Sequence, residues 1–95
     1  MERARRHANV YGKVQGVGFR YTAQEVAWRL DLYGWIRNRA CGTRVECVVE
    51  GPEDSVQAFV SWLEQGPPYA EVERVEVEPD GSSEALKPFA IHPTE

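Results

Sequence analysis

The sequence predicts a single α+β domain, residues 1–95, in which an antiparallel sheet carries two helices on one face. The chain has 95 residues, enough for one hydrophobic core and too few for two. Two segments repeat apolar residues with the period of a helix, and four others alternate apolar and polar residues as strands do. Their order is strand, helix, strand, strand, helix, strand, followed by one more short strand. This order is typical of the ferredoxin-like, split βαβ plan (βαββαβ plus a short final strand).

The first strand and the first helix flank a turn that is rich in glycine. Residues 7–11 alternate as a half-buried strand, and the turn at residues 12–20 contains three glycines. A helix is predicted over residues 21–32, because four apolar residues there recur with helical spacing. Thr22 and Glu25 have the spacing of a capping box, and the helix is expected to begin near residues 19–22.

The second half of the chain predicts a hairpin, a helix and two strands. The predicted elements are strands over 35–39 and 44–50 around a turn at 40–43, a helix that opens at 51–54 and ends at 66–68, a strand over 73–78, and a short last strand within 87–92. Cys41 and Cys47 then lie too far apart along the hairpin for an internal disulfide.

Composition narrows the class of protein. Hydrophobic residues are 42% and charged residues 27% of the chain, the balance of a soluble globular protein. No apolar run approaches the roughly 20 residues that a membrane helix needs, and the charged amino end is not followed by the apolar run of a secretory signal. We therefore expect a cytoplasmic protein that makes no membrane contact. Two cysteines and two histidines are too few for a metal cluster, so neither a metal nor another cofactor is expected.

Charge is divided unevenly along the chain. Residues 1–45 contain nine Arg or Lys and three acids, whereas residues 46–95 contain two and twelve. One interpretation is that the basic half binds an anionic ligand. The alternative is that the two halves form ion pairs with each other at the surface.

The turn at residues 12–20 has the features of a phosphate-binding loop. Glycines allow backbone N–H groups to converge on one point, and the following helix adds its unpaired N–H groups and the positive end of its dipole. Arg20 supplies a planar guanidinium that can pair with two phosphoryl oxygens. The same pattern also occurs where a chain merely turns tightly. It is not a Walker A loop, because no Gly-Lys-Ser/Thr ends it.

Two motifs, at residues 12–20 and 33–38, resemble the two signatures of the acylphosphatase family, which hydrolyses the carboxyl-phosphate bond of acyl phosphates. The resemblance extends over nearly the whole chain and implies a ferredoxin-like fold, a small acyl phosphate substrate, and inorganic phosphate or sulfate as a competing anion. It also implies that Arg20 is essential and that Asn38 positions the attacking water. The implied phosphate-binding residues are Gln15, Gly16, Val17, Gly18, Phe19 and Arg20. Whether Trp35 borders the site is left open.

The chemistry of the residues agrees with metal-independent hydrolysis. The substrate's leaving group is a carboxylate with a pKa of roughly 4, so its departure needs no general acid. The loop and Arg20 would hold the phosphoryl group, and the amide of Asn38 would orient a water. We expect a monomer that binds no nucleic acid. Two alternatives are a non-catalytic domain that binds an acyl phosphate such as carbamoyl phosphate, and an RNA-binding module of similar plan.

Overall fold

The computed structural model describes residues 2–95, and its elements follow the predicted order. They are β1 (Arg3–Lys13), α1 (Phe19–Arg29), β2 (Tyr33–Asn38), β3 (Arg44–Pro52), α2 (Glu53–Gln65), β4 (Glu71–Pro79) and β5 (Ala90–Ile91). The strand order in the sheet is β4-β1-β3-β2-β5, with β1 and β3 side by side and β2 next to β3. This is the split βαβ plan that the sequence predicts.

One strand departs from the predicted antiparallel sheet. β5 pairs with β2 in parallel, whereas all other strand pairs among the described residues are antiparallel. The cause is where β4 ends: Pro79 pairs with Arg6, at the end of the sheet where β2 begins with Tyr33. The chain crosses the sheet at that end and therefore reaches β2 at its first residues, so β5 must run in the same direction as β2.

The two helices cover one face of the sheet. Ala8 and Val10 of β1 are fully buried, whereas Asn9 is half-buried because it points to the opposite, open face. The largest buried side chains come from both helices, from β2 and from the adjoining segments: Phe19, Phe59, Phe89, Leu32, Ile36 and Leu63. Burial of each contributes about 1.5–3 kcal/mol. Phe19 is the first residue of α1, so its burial fixes the start of that helix against the core.

The capping of α1 differs from the prediction. The helix begins at Phe19 and is preceded by Gly18, whose φ of 77° lies in the left-handed region. Thr22 is therefore already inside the helix, where its hydroxyl donates to the carbonyl oxygen of Gly18. The predicted capping box is wrong, because the glycine turn ends sooner than the polar spacing suggested. No side chain caps the first N–H groups of α1.

The open face of the sheet carries a network of ion pairs between the two halves of the chain. Glu46 pairs with His7, Arg37 and Arg39, at 2.6 to 3.0 Å. Burial alone would raise the pKa of Glu46, but hydrogen bonds from His7 and Arg37 outweigh it and hold that pKa below its ordinary value. Glu50 pairs with Arg3 and Arg5 in the same way. Pairing across the sheet thus joins part of the basic half of the sequence to the acidic half.

The two cysteines lie in different environments. Cys41 is exposed in the hairpin turn, and Cys47 is buried on the helix-covered face, where burial raises the pKa of its thiol to about 12. Within residues 2–95, no group of three or more His, Cys, Asp or Glu side chains is arranged to hold a metal ion. No helix in this range is long and apolar enough to cross a membrane.

Candidate active site

The turn between β1 and α1 folds back on itself at two glycines. Gly16 and Gly18 have φ values of 73° and 77°, in the left-handed region that side chains disfavour. When left-handed and right-handed residues alternate along a chain, neighbouring N–H groups point to the same concave side of the backbone. Such a concave side binds anions. A Cβ at either glycine would meet no atom within 4 Å, so backbone conformation, not crowding, is what requires glycine here.

The N–H groups of this loop are available to a ligand. Among the described residues, none of the backbone N–H groups from Gln15 to Tyr21 donates a hydrogen bond to another group of the chain. The last three of them belong to the first turn of α1, which contains no acidic residue. The positive end of the helix dipole is therefore not neutralised by a neighbouring carboxylate, and an anion would be favoured there.

The loop and the end of β2 line one pocket of about 130 Å³. Its lining residues are Val14, Gly16, Gly18, Phe19, Arg20, Tyr21 and Asn38. Since one water occupies about 30 Å³ of liquid volume, the pocket can hold a phosphoryl group together with one or two waters. Arg20 and Asn38, which are distant in sequence, thus border the same small space.

Asn38 is the last residue of β2 and points to the helix-covered side of the sheet. Only 8% of its surface is exposed, and it is the only buried polar or charged residue in the described part of the chain. Its side-chain oxygen Oδ1 is buried and has no hydrogen-bond partner. A buried acceptor without a partner costs stability, about 1–3 kcal/mol, so its presence in a folded protein calls for an explanation.

Arg20 differs from the other arginines near the hairpin. Within residues 2–95 it forms no ion pair or side-chain hydrogen bond, whereas Arg37 and Arg39 both bind Glu46 on the open face. Arg20 is half-buried at the second position of α1, beside the loop. The positive charge of Arg20 is therefore available at the pocket, and the charges of Arg37 and Arg39 are largely satisfied elsewhere.

Two of the predicted phosphate-binding residues do not line the pocket with their side chains. Val17 packs against the hydrophobic core. The Gln15 side chain donates from Nε2 to the carbonyl oxygens of Arg39 and Arg44, at 2.7 and 2.9 Å. Gln15 therefore ties the loop to the β2–β3 hairpin and holds the loop next to Asn38. No local sequence pattern indicates this contact, because it depends on how closely the hairpin approaches the loop.

Trp35 does not border the pocket. It lies on the open face, where its ring stacks on His92 with centroids 5.4 Å apart and Arg37 lies over it. Because side chains alternate along a strand, Trp35 and Asn38 project from opposite faces of β2.

Comparison with known proteins places the chain in a family. The acylphosphatase family model matches residues 6–91. The chain is 48% identical over 94 residues to an acylphosphatase of Pyrobaculum aerophilum, and the match covers 99% of each chain. The crystal structure of acylphosphatase from Bacillus subtilis is similar with a TM-score of 0.86 at 41% identity, over 93% of this chain and 97% of that one.

A similar domain also occurs inside a longer protein. The crystal structure of full-length HypF in the phosphate- and nucleotide-bound form matches with a TM-score of 0.85 at 28% identity. The match covers 98% of this chain and 12% of HypF.

Proposed function

The chain belongs to the acylphosphatase family of hydrolases, which act on small acyl phosphates, and on this premise we propose that residues 15–20 and Asn38 form its active site. The observation that carries the proposal is the pocket shared by the loop, Arg20 and Asn38. Each of these parts has unpaired hydrogen-bonding capacity next to that pocket.

The loop and Arg20 hold the phosphoryl group of the substrate. Backbone N–H groups of residues 15–20 donate to its oxygens, and the Arg20 guanidinium binds two of them side by side. The loop amides are held in place before the substrate arrives, so they stabilise the charge that develops on the equatorial oxygens without reorganisation, and Arg20 adds its positive charge when the anion binds. Inorganic phosphate and sulfate carry the same oxygens and compete for this site.

The leaving group requires no help from an acid. An acyl phosphate releases a carboxylate with a pKa of roughly 4, which departs unprotonated at neutral pH. Arg20 and the loop amides supply the positive charge that phosphoryl transfer needs. We therefore propose a reaction that does not depend on a metal ion.

Asn38 orients the water that attacks phosphorus. Its Oδ1 is buried without a partner in the chain and accepts a hydrogen bond from the water, which aligns the water's lone pair with the bond that breaks. An amide is not a base, so the water's proton passes to an oxygen of the substrate's own phosphoryl group. The products are a carboxylate and inorganic phosphate.

Hydrolysis of benzoyl phosphate in excess chelator tests this mechanism. We expect turnover at the same rate with and without chelator, and hydrolysis of an alkyl phosphate slower by at least about 10³-fold, because no general acid is present to protonate an alkoxide. Comparable rates on the two substrates, or loss of activity with the chelator, would contradict the mechanism. Turnover of benzoyl phosphate also distinguishes an enzyme from a domain that only binds acyl phosphates.

We further propose that the protein acts as a monomer in the cytoplasm and without a nucleic-acid partner. The composition, with 42% hydrophobic and 27% charged residues, supports the location. Against RNA binding, the open face of the sheet carries paired charges, such as Glu46 with Arg37, and the chain has a net charge of −4, whereas RNA-binding surfaces are basic. A sedimentation mass well above 10.8 kDa would contradict the monomer.

A further inference from the structure

The main chain of Asn38 faces the edge of the sheet, away from β3. Arg39, the next residue, bonds to β3 by donating its N–H to the carbonyl of Arg44 at 3.0 Å. Because main-chain groups of successive strand residues alternate in direction, the carbonyl of Asn38 points the other way. The strand β5 ends at Ile91 and stops short of it. What holds Asn38 on this side is the segment that follows β5.

Residues 92–95 continue along the edge of β2 as far as Asn38. His92 N–H donates to the carbonyl of Ile36 at 2.8 Å, and Glu95 N–H donates to the carbonyl of Asn38 at 3.2 Å. The two acceptors are two residues apart on β2, whereas the two donors are three residues apart on the segment. The segment therefore contains one residue more than regular pairing with β2 requires. This irregularity lies next to Pro93, which has no N–H to donate. The ladder resumes beyond it, at Asn38.

Glu95 bonds to Asn38 and to Ala40, two residues further along the chain. Besides its N–H bond to the carbonyl of Asn38, its main-chain oxygen accepts from the N–H of Ala40 at 3.0 Å. Its side-chain carboxylate pairs with Arg37 at 2.9 Å on the open face, although this side chain is 67% exposed, so the ion pair contributes little. One main-chain bond thus holds the residue whose side chain reaches the pocket, and the other holds the turn that follows it.

We propose that Glu95 is a positioning residue, whose main-chain bonds to Asn38 and Ala40 hold the Asn38 amide at the angle that water attack requires. This proposal rests on the proposed role of Asn38. Without the bond from Glu95, the end of β2 would be hydrogen-bonded only to β3 and could change its orientation. A misplacement of 1 Å at a reacting group costs about 10²-fold in rate, so a partial loosening is expected to cost about tenfold. Glu95 forms no hydrogen bond to the phosphate-binding loop. Loss of its bond to Asn38 leaves in place the bonds of Gln15 to the β2–β3 hairpin that hold the loop, so we expect the loop's affinity for anions to be unchanged.

Two substitutions at the same position separate the main-chain bond from the side chain. Glu95→Ala removes the ion pair to Arg37 and keeps both main-chain bonds, and we expect its kcat within about twofold of the unmodified chain. Glu95→Pro removes the same ion pair and also the N–H that donates to Asn38. We expect kcat for benzoyl phosphate to be about tenfold lower than in Glu95→Ala, with an inhibition constant for inorganic phosphate that is unchanged within about twofold.

Combining Glu95→Pro with Asn38→Ala distinguishes positioning of Asn38 from general destabilisation. In a chain that already carries Asn38→Ala, we expect Glu95→Pro to cause no further loss, because the group that it positions is absent. Equal kcat in Glu95→Pro and Glu95→Ala would overturn the proposal, and so would a parallel loss of phosphate affinity. If Asn38→Ala itself remained active, the proposed role of Asn38 would fail, whatever the result at Glu95.

Discussion

Replacing Arg20 by alanine is expected to lower kcat/KM for benzoyl phosphate by at least about 10³-fold. Arginines that neutralise the charge on a transferring phosphoryl group contribute effects of this size. Arg20 has no evident structural role. Within the described residues its side chain has no ion-pair or hydrogen-bond partner, and it is half-buried at the second position of α1. The variant should therefore fold normally, which circular dichroism and a thermal melt will check. Inhibition by inorganic phosphate should weaken together with catalysis.

Two further variants make the test of Arg20 specific. Arg20→Lys keeps the charge and loses the planar fork, so we expect it to remain at least about 10²-fold impaired. Arg29→Ala removes an exposed arginine from the same helix, one that pairs only with Glu25 a turn away. We expect this control to retain full activity. Activity that survives Arg20→Ala would show that the phosphoryl group is held elsewhere.

Replacing Asn38 by alanine is expected to lower kcat by about 10²-fold and to leave the inhibition constant for inorganic phosphate within about twofold of its original value. The reason is that different groups in the pocket have different roles: the loop and Arg20 bind the anion, whereas Asn38 orients the water. Steady-state kinetics with benzoyl phosphate, with phosphate as inhibitor, measure both quantities. The change also removes a buried Oδ1 that has no partner, so stability should not fall as it does when a core side chain is truncated.

The matched control for Asn38 is Asn9→Ala. Asn9 lies on the open face of β1, where its Oδ1 accepts a hydrogen bond from Arg44 at 3.4 Å, and we expect the variant to keep its kcat. If Asn38→Ala weakened phosphate binding as strongly as turnover, Asn38 would be a ligand of the anion. Unchanged turnover would mean that another group orients the water.

Periodicity and turn residues predicted the elements of this fold because those signals are local. The helical spacing in α1 and α2 and the alternation in β1 follow from which face each residue buries. The capping box at Thr22 and Glu25 was predicted wrongly, because the burial of Phe19 decides where the helix begins. The direction of β5 depends on where β4 ends in the sheet, which no local pattern records.

The parts of the candidate site that lie in a short motif could be predicted from the sequence. The parts that depend on contacts between distant residues could not. The loop and Asn38 were identified from two short motifs, and the fold brings them to one pocket. The contact of Gln15 with the hairpin and that of Glu95 with Asn38 join residues far apart in sequence, so neither could be read from spacing. The position of Trp35 could have been predicted, since strand alternation alone separates it from Asn38.

The central claim is that the amides of residues 15–20 converge on a bound phosphoryl group beside Arg20. A titration of the isotope-labelled protein with inorganic phosphate, followed by NMR of the backbone amides, tests it most directly. We predict saturable shifts that are largest at Gly16, Gly18 and Phe19, and much weaker binding in Arg20→Ala. Shifts that are largest on the open face of the sheet, with these loop amides unmoved, would contradict the claim.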